Sequence, residues 1–233
     1  MKRLQGAIDI TIDTFPGMGV YPGECETERV LHLEPSASND ITCAHWALTA
    51  HAGTHLDAPR HFDPNGKQIG DYPPDFFEFR AAVIDARGFR PTKRHADAAL
   101  LSENDRLLDG CDAVLFRTHD GELWKTPSFD SLHTAIAHSA AEALVSRGGI
   151  RLVGIDYFSV EPFSDESFRT HRALLLNGVF ILEGIDLSRV APGAYDLICL
   201  PARWRDAEAA PCRALLFRDG VDAPHATAKA SQA

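Results

Sequence analysis

Residues 51–62, His51-Ala52-Gly53-Thr54-His55-Leu56-Asp57-Ala58-Pro59-Arg60-His61-Phe62, hold three imidazoles and a carboxylate within eleven positions. That spacing restricts the backbone that carries them. On a helix His51 and His55 share a face, but Asp57 sits roughly 120° from His51 and about 160° from His55 at ~100° per residue. On an extended chain positions 51, 53, 55 and 57 all point the same way. The extended form therefore unites His51, His55 and Asp57. Gly53 then falls on the ligand face, where a missing side chain leaves room for a metal or a substrate. Pro59 argues against a continuing helix. Any one of these histidines reads plainly as a polar residue on a solvated edge strand; the period-two set as a whole does not. It is a donor set preferred by zinc, manganese or iron.

Short apolar runs recur along the rest of the chain. Residues 7–12 alternate like a strand, and Ala81 to Asp85, Ala113 to Arg117, Arg151 to Asp156, Val179 to Glu183, Leu197 to Leu200 and Arg213 to Phe217 read as further strands. Phe15 to Gly23 reads as an irregular loop with two proline-glycine turns, Asp63-Pro64-Asn65-Gly66 as a turn, and Tyr72-Pro73-Pro74 as the start of another connection. The clearest helix covers 139–147, with Ser139 and Glu142 spaced as a capping box and Gly148 as its stop. A second helix is expected from Phe168 to Leu176, ended by Asn177-Gly178. Many short strands and few helices predict an α/β or α+β domain with a mixed sheet. One domain is expected over residues 1–233, with 222–233 as a small, polar, frayed tail.

A chain of 233 residues, 45% hydrophobic, can bury a substantial core without staples. Its net charge of −10 and short basic clusters such as Lys93-Arg94 argue against nucleic-acid binding. Cys25, Cys43, Cys111, Cys199 and Cys212 form no C-x-x-C, so buried thiols in a reducing compartment are expected, not disulfides or a thiolate zinc knuckle. The N-terminus lacks an apolar signal core and no run reaches membrane-spanning length, which predicts a cytoplasmic protein without a membrane partner. A metal needs ligands from more than one segment. Candidates are His45, His119, His133, His138, His171, Asp156 and Glu183. His45 reads as a core histidine and His138 as structural or exposed, while His95 and His225 lie in surface-like stretches.

The block His51-x-Gly53-Thr54-His55-x-Asp57-x-Pro59-x-His61 resembles the signature of the cyclase family, which contains bacterial kynurenine formamidases and isatin hydrolases. The resemblance extends over nearly the whole chain. It takes in Val20-Tyr21-Pro22-Gly23, Val153-Gly154-Ile155-Asp156, His171, Ile181-Leu182-Glu183-Gly184, Pro192-Gly193-Ala194-Tyr195 and Leu200-Pro201. It implies a swivelling β/β/α-type fold, with a mixed β-barrel-like sheet and flanking helices, and association as a homodimer or higher oligomer. It also implies that His51, His55 and Asp57 bind one metal, that Asp57, His171 and Glu183 bind a second with Asp57 bridging, and that His61 is the acid/base group. Isatin-hydrolase-like members are expected to carry an amide where this chain has Glu183, so the carboxylate favours the formamidase-like branch.

The implied cofactor is one or two divalent ions per chain, zinc first and manganese as the alternative. The implied reaction is hydrolysis of a small-molecule amide such as N-formylkynurenine, a step of tryptophan catabolism. Phe15, Tyr21, Phe62 and Trp204 are candidate walls for an aromatic substrate. The same residues fit a hydrolase of isatin or another cyclic imide, or a polyketide cyclase or dehydratase. A non-catalytic metal-binding scaffold is the reading from a different class.

Overall fold

The computed structural model describes residues 4–36, 40–92, 95–118 and 128–218, with the backbone alone at 90–92. The expected tail, Lys93-Arg94, His119 and His225 lie outside the described residues.

The runs at 81–85, 113–117, 152–155 and 180–183 fold as strands with both faces covered, whereas those at 197–200 and 213–217 alternate buried with more exposed residues. β1 (Ile8–Asp9), β2 (Glu28–Leu33), β3 (Cys43–Ala47) and β4 (His55–Asp57) are followed by β5 (Glu78–Asp85) and β6 (Ala113–Arg117). β7 (Leu152–Ile155), β8 (Phe180–Glu183), β9 (Gly193–Pro201) and β10 (Ala209–Arg218) complete the set. Strands β4 to β10 close into a seven-membered ring in the order β10-β4-β8-β7-β6-β5-β9, with β9 returning to β10. The pairings β5–β6, β6–β7 and β7–β8 are parallel, and the others around the ring are antiparallel. This is the mixed-sheet α/β domain expected from the sequence, in the barrel-like form that the resemblance implies.

Strand periodicity divides the core in two. Leu56, Ala81, Val83, Leu115, Leu152, Phe180, Leu182 and Leu197 meet in one cluster, drawn from all around the ring. The alternate residues Ala82, Ile84, Val114, Phe116, Val153, Ile155 and Ile181 form a second cluster with the helices. Those helices are α1 (Ala98–Glu103), α2 (Asp105–Leu108), α3 (His138–Arg147) and α4 (Arg169–Leu175). Parallel strands flanked in this way read as continuous apolar runs. Among the described residues no helix is long and apolar enough to cross a membrane.

Several local expectations are corrected. α3 starts at His138 with Ala137 at its N-cap and no side-chain cap; Glu142 lies 3.4 Å from His138 instead of closing a box with Ser139. Only 55–57 of the histidine segment is strand, and residues 51–54 turn, with Gly53 at φ +67°. His45 is exposed, on a two-stranded arm made by β2 and β3 whose residues are nearly all exposed. Cys199 and Cys212 are buried as expected, but Cys25 and Cys43 are exposed.

Candidate metal centre

β4 and β8 run side by side, with His55 opposite Glu183 and Asp57 opposite Ile181. Leu56 and Leu182 point into the barrel cluster, so His55, Asp57 and Glu183 share the outer face. The turn at 51–54 then folds His51 back until its Nδ1 lies 3.0 Å from Asp57 Oδ1. Gly184 holds this turn close: its φ is +69°, and a Cβ there would lie 2.1 Å from the Gly53 carbonyl oxygen. The glycine at 53 is thus required by a left-handed backbone beside Thr14 and Met18 as well as by the cavity it lines.

His171 comes from α4, which covers the end of β8; its Nε2 lies 3.6 Å from Glu183 Oε1. His61, from a short 3-10 turn over 59–61, places its ring centroid 4.5 Å from that of His51 and 6.1 Å from that of His171. The six predicted site residues His51, His55, Asp57, His61, His171 and Glu183 therefore line one cavity of about 210 Å³.

Electrostatics tie these groups together. Burial alone would lower the pKa of His51, but Asp57 outweighs it and holds the imidazole at about 9. His171 is likewise buried, yet Glu161 and Glu183 raise it to about 10. Burial opposes ionisation of Asp57 and Glu183, but the neighbouring imidazoles, His51 first for Asp57 and His171 first for Glu183, hold both carboxyls well below their usual range. His61 moves the other way: burial lowers its pKa, helped by His51 and His171 and opposed by Asp57.

The donors fit a divalent cation on a direct structural test. Nε2 of His55 and both carboxylate oxygens of Asp57 are buried without a well-formed hydrogen bond, His51 standing as an ion-pair partner 3.0 Å from one oxygen, and such a set is costly unless another group satisfies it. The remaining His55 nitrogen, Nδ1, faces the Gly53 carbonyl at 3.0 Å, leaving Nε2 free toward Asp57 and Glu183, at 3.5 and 3.4 Å. Two overlapping triads can each converge on one point: His51, Asp57 and His61, and His55, Asp57 and Glu183. Asp57 belongs to both, as a bridging residue must. The division differs from the one implied by the resemblance, because His61 joins the first triad and His55 pairs with Glu183.

Tyr21 and Phe62 line the cavity; Phe15 and Trp204 do not. Phe15 instead borders a separate surface hollow with Asp9, Asp13 and Arg189, and Trp204 lies beside Gly70, since aromatic character carries no direction. Phe158, Phe168, Ser159 and Glu24 line the cavity unannounced. Phe168 adopts φ 52°, unusual for a bulky residue and a mark of functional sites. Glu161 also escaped the sequence reading; the available signal was its place in the loop after a parallel strand, where α/β sheets collect their sites. Among the other ligand candidates, Asp156 accepts hydrogen bonds from Thr118. His133 lies between the carbonyls of Asp130 and Glu161, at 3.1 and 3.0 Å.

A closed mixed α/β barrel carries on its outer wall a buried histidine–carboxylate cluster that could hold a metal ion. The Cyclase family model, described as "Putative cyclase", matches residues 8–162, and the chain belongs to that family. Among solved structures, one described as a "Potential Metal-Dependent Hydrolase With Cyclase Activity" is 27% identical, with a TM-score of 0.75 and coverage of 90% of this chain and 96% of the other. A "predicted metal-dependent hydrolase" from Bacillus stearothermophilus is also 27% identical, with a TM-score of 0.73 and coverage of 90% and 97%. Isatin hydrolase A from Ralstonia solanacearum shares the fold at 18% identity, with a TM-score of 0.78 and 90% of each chain covered.

Proposed function

We propose that the chain is a metal-dependent hydrolase of the carbon–nitrogen bond in an N-formyl or related N-acyl aryl amine, an arylformamidase-like activity. The observation that carries this reading is the buried cluster of His55 Nε2 and the two Asp57 oxygens, which lack a well-formed hydrogen bond and are faced chiefly by other imidazoles and a carboxylate, set in an aromatic-walled cavity. His51 and Asp57 could hold one divalent cation with His61 next to it, and His55, Asp57 and Glu183 a second with His171 beside them. When bound, such an ion lowers the pKa of water from 15.7 to about 7 and polarises a carbonyl.

The chain's own residues supply the rest. Tyr21, Phe62, Phe158 and Phe168 exclude water and present apolar ring faces to an aryl group. His61, kept neutral at pH 7 by burial, accepts a proton at an imidazole nitrogen and returns it to the departing amine. Asp57, held ionised, attracts the cation and fixes the groups around it. The likeness to solved metal-dependent hydrolases supports this assignment.

The deciding experiment loads the protein with zinc, or with manganese in parallel, and offers N-formylkynurenine, a simple formanilide and isatin. Release of formate from the formyl substrates, abolished by a chelator and restored by metal, is the expected result. Ring opening of isatin without formate release would transfer the assignment to a cyclic-imide hydrolase. Metal binding with no turnover across the panel would leave a binding scaffold.

A further inference from the structure

Glu161 stands outside both donor triads, yet it is buried and directs its carboxylate to a single element. Oε1 accepts the backbone N–H of Thr170 at 3.2 Å. Oε2 accepts the backbone N–H of His171 at 3.0 Å and faces His171 Nδ1 at 2.9 Å. α4 begins after Phe168, which offers no side-chain cap, so a carboxylate from a preceding loop satisfies two of the helix's free N–H groups.

The same carboxylate fixes the ring of the third residue of α4. An ionised Oε2 is only an acceptor, so Nδ1 must carry the proton between them. Once a cation displaces the second proton, Nε2 is the nitrogen left to offer a lone pair, and it faces Glu183, a member of the second triad. Glu161 is itself anchored away from α4. Its N–H donates to Ser159 Oγ at 3.1 Å, and its carbonyl lies 3.0 Å from His133 Nε2.

We propose that Glu161 is the positioning residue of the metal centre: by holding Nδ1 of His171 it fixes the ring plane and tautomer that aim Nε2 at Glu183, and so sets the affinity of that side of the site for a divalent cation. This inference rests on the metal-dependent reading above. It adds a residue that makes no contact with the cation and acts through His171. Carboxylates placed behind a ligating imidazole raise its basicity and lock its orientation, and their loss weakens metal binding by about 10- to 100-fold.

The test uses the full chain with zinc alone as the probe. Glu161→Gln keeps the side-chain volume but replaces one oxygen with an NH₂ donor. Facing His171, that NH₂ would favour the wrong tautomer; turned away, it would oppose the Thr170 N–H. Zinc affinity by chelator competition, zinc equivalents per chain and melting of the metal-free protein are measured together. The expected result is a roughly 10- to 100-fold weaker affinity for one equivalent in Glu161→Gln, with Glu161→Asp intermediate because it retains two acceptors. If Glu161 only caps α4, the metal-free melting temperature falls while both variants bind zinc like the parent, and the inference is overturned. Should Glu161→Gln not fold, Glu161→Asp carries the same comparison against the parent. A parent that binds no zinc or manganese would overturn the metal-dependent reading itself, which separates that failure from this one.

Discussion

His61 is the residue whose position admits two roles. It completes a donor triad with His51 and Asp57, yet burial keeps its imidazole neutral and ready to take a proton. As the acid/base group, His61→Ala should lower turnover by roughly 10²- to 10⁴-fold while zinc content stays at the parent's level; metal analysis after desalting decides, and a lost equivalent makes His61 a ligand. Asp57 belongs to both triads, so Asp57→Asn should empty both, whereas Glu183→Gln should empty chiefly the one shared with His55. Two tightly held zinc ions in Asp57→Asn would refute the bridging role. Away from the centre, burial lifts the Asp156 carboxyl to about 7, against the lowering effect of the Thr118 hydrogen bonds. Its unfolded pKa is near 3.9, so the native chain holds the extra proton. The associated stability is present below that pH and is lost as pH rises through about 7. The slope is at most about 1.4 kcal/mol per pH unit. Denaturant titrations from about pH 5 to pH 8 should show it in the parent and not in Asp156→Asn; parallel curves would exclude Asp156 as the source.

At the scale of elements, β4 and β8 work as a pair because Gly184 lets the Gly53 turn approach. Gly184→Ala should introduce roughly 1–3 kcal/mol of backbone strain and push the turn outward. That lowers the melting temperature by about 2–4 °C for each kcal/mol and weakens zinc binding through His51. Scanning calorimetry with and without zinc measures both; an unchanged melting temperature would mean that the turn yields freely. The parallel strands were legible in the sequence because burial on both faces leaves unbroken runs such as Ala113-Val114-Leu115-Phe116. β2 was not, because Glu28-Arg29-Val30-Leu31-His32-Leu33 has no buried face to impose alternation. α1 and α2 span six and four residues, too few to show a helical period. For the site, residue types and spacing pointed to His51, His55 and Asp57, but a strand and a tight turn bring such a set together equally well. Glu161 offered only its place after a parallel strand as a signal, because its partners lie nine and ten residues away, across a loop to which neither the helical nor the strand period applies.

At the scale of the whole molecule, the arm of β2 and β3 stands apart from the barrel. It carries exposed Val30, Leu31, Leu33 and Trp46, with Ile41 just before β3, and two strands with neither face covered are marginal in water. We expect a second copy of this chain to cover it, in keeping with the oligomer implied by the resemblance. Light scattering should give at least a dimer for the parent, and Val30→Glu with Trp46→Glu should shift it toward monomer; a monomeric parent removes the idea. The barrel itself also orders events in time. β4 lies between β8 and β10, pairing His55 with Glu183 and Asp57 with Ala209, both far downstream. During synthesis the histidine strand leaves the ribosome well before either neighbour and waits until both have followed. Contacts so distant along the chain form slowly. A nascent or shortened chain that ends before Ala209 leaves Asp57 without one of its flanking strands, so the candidate site is complete only once β10 is in place.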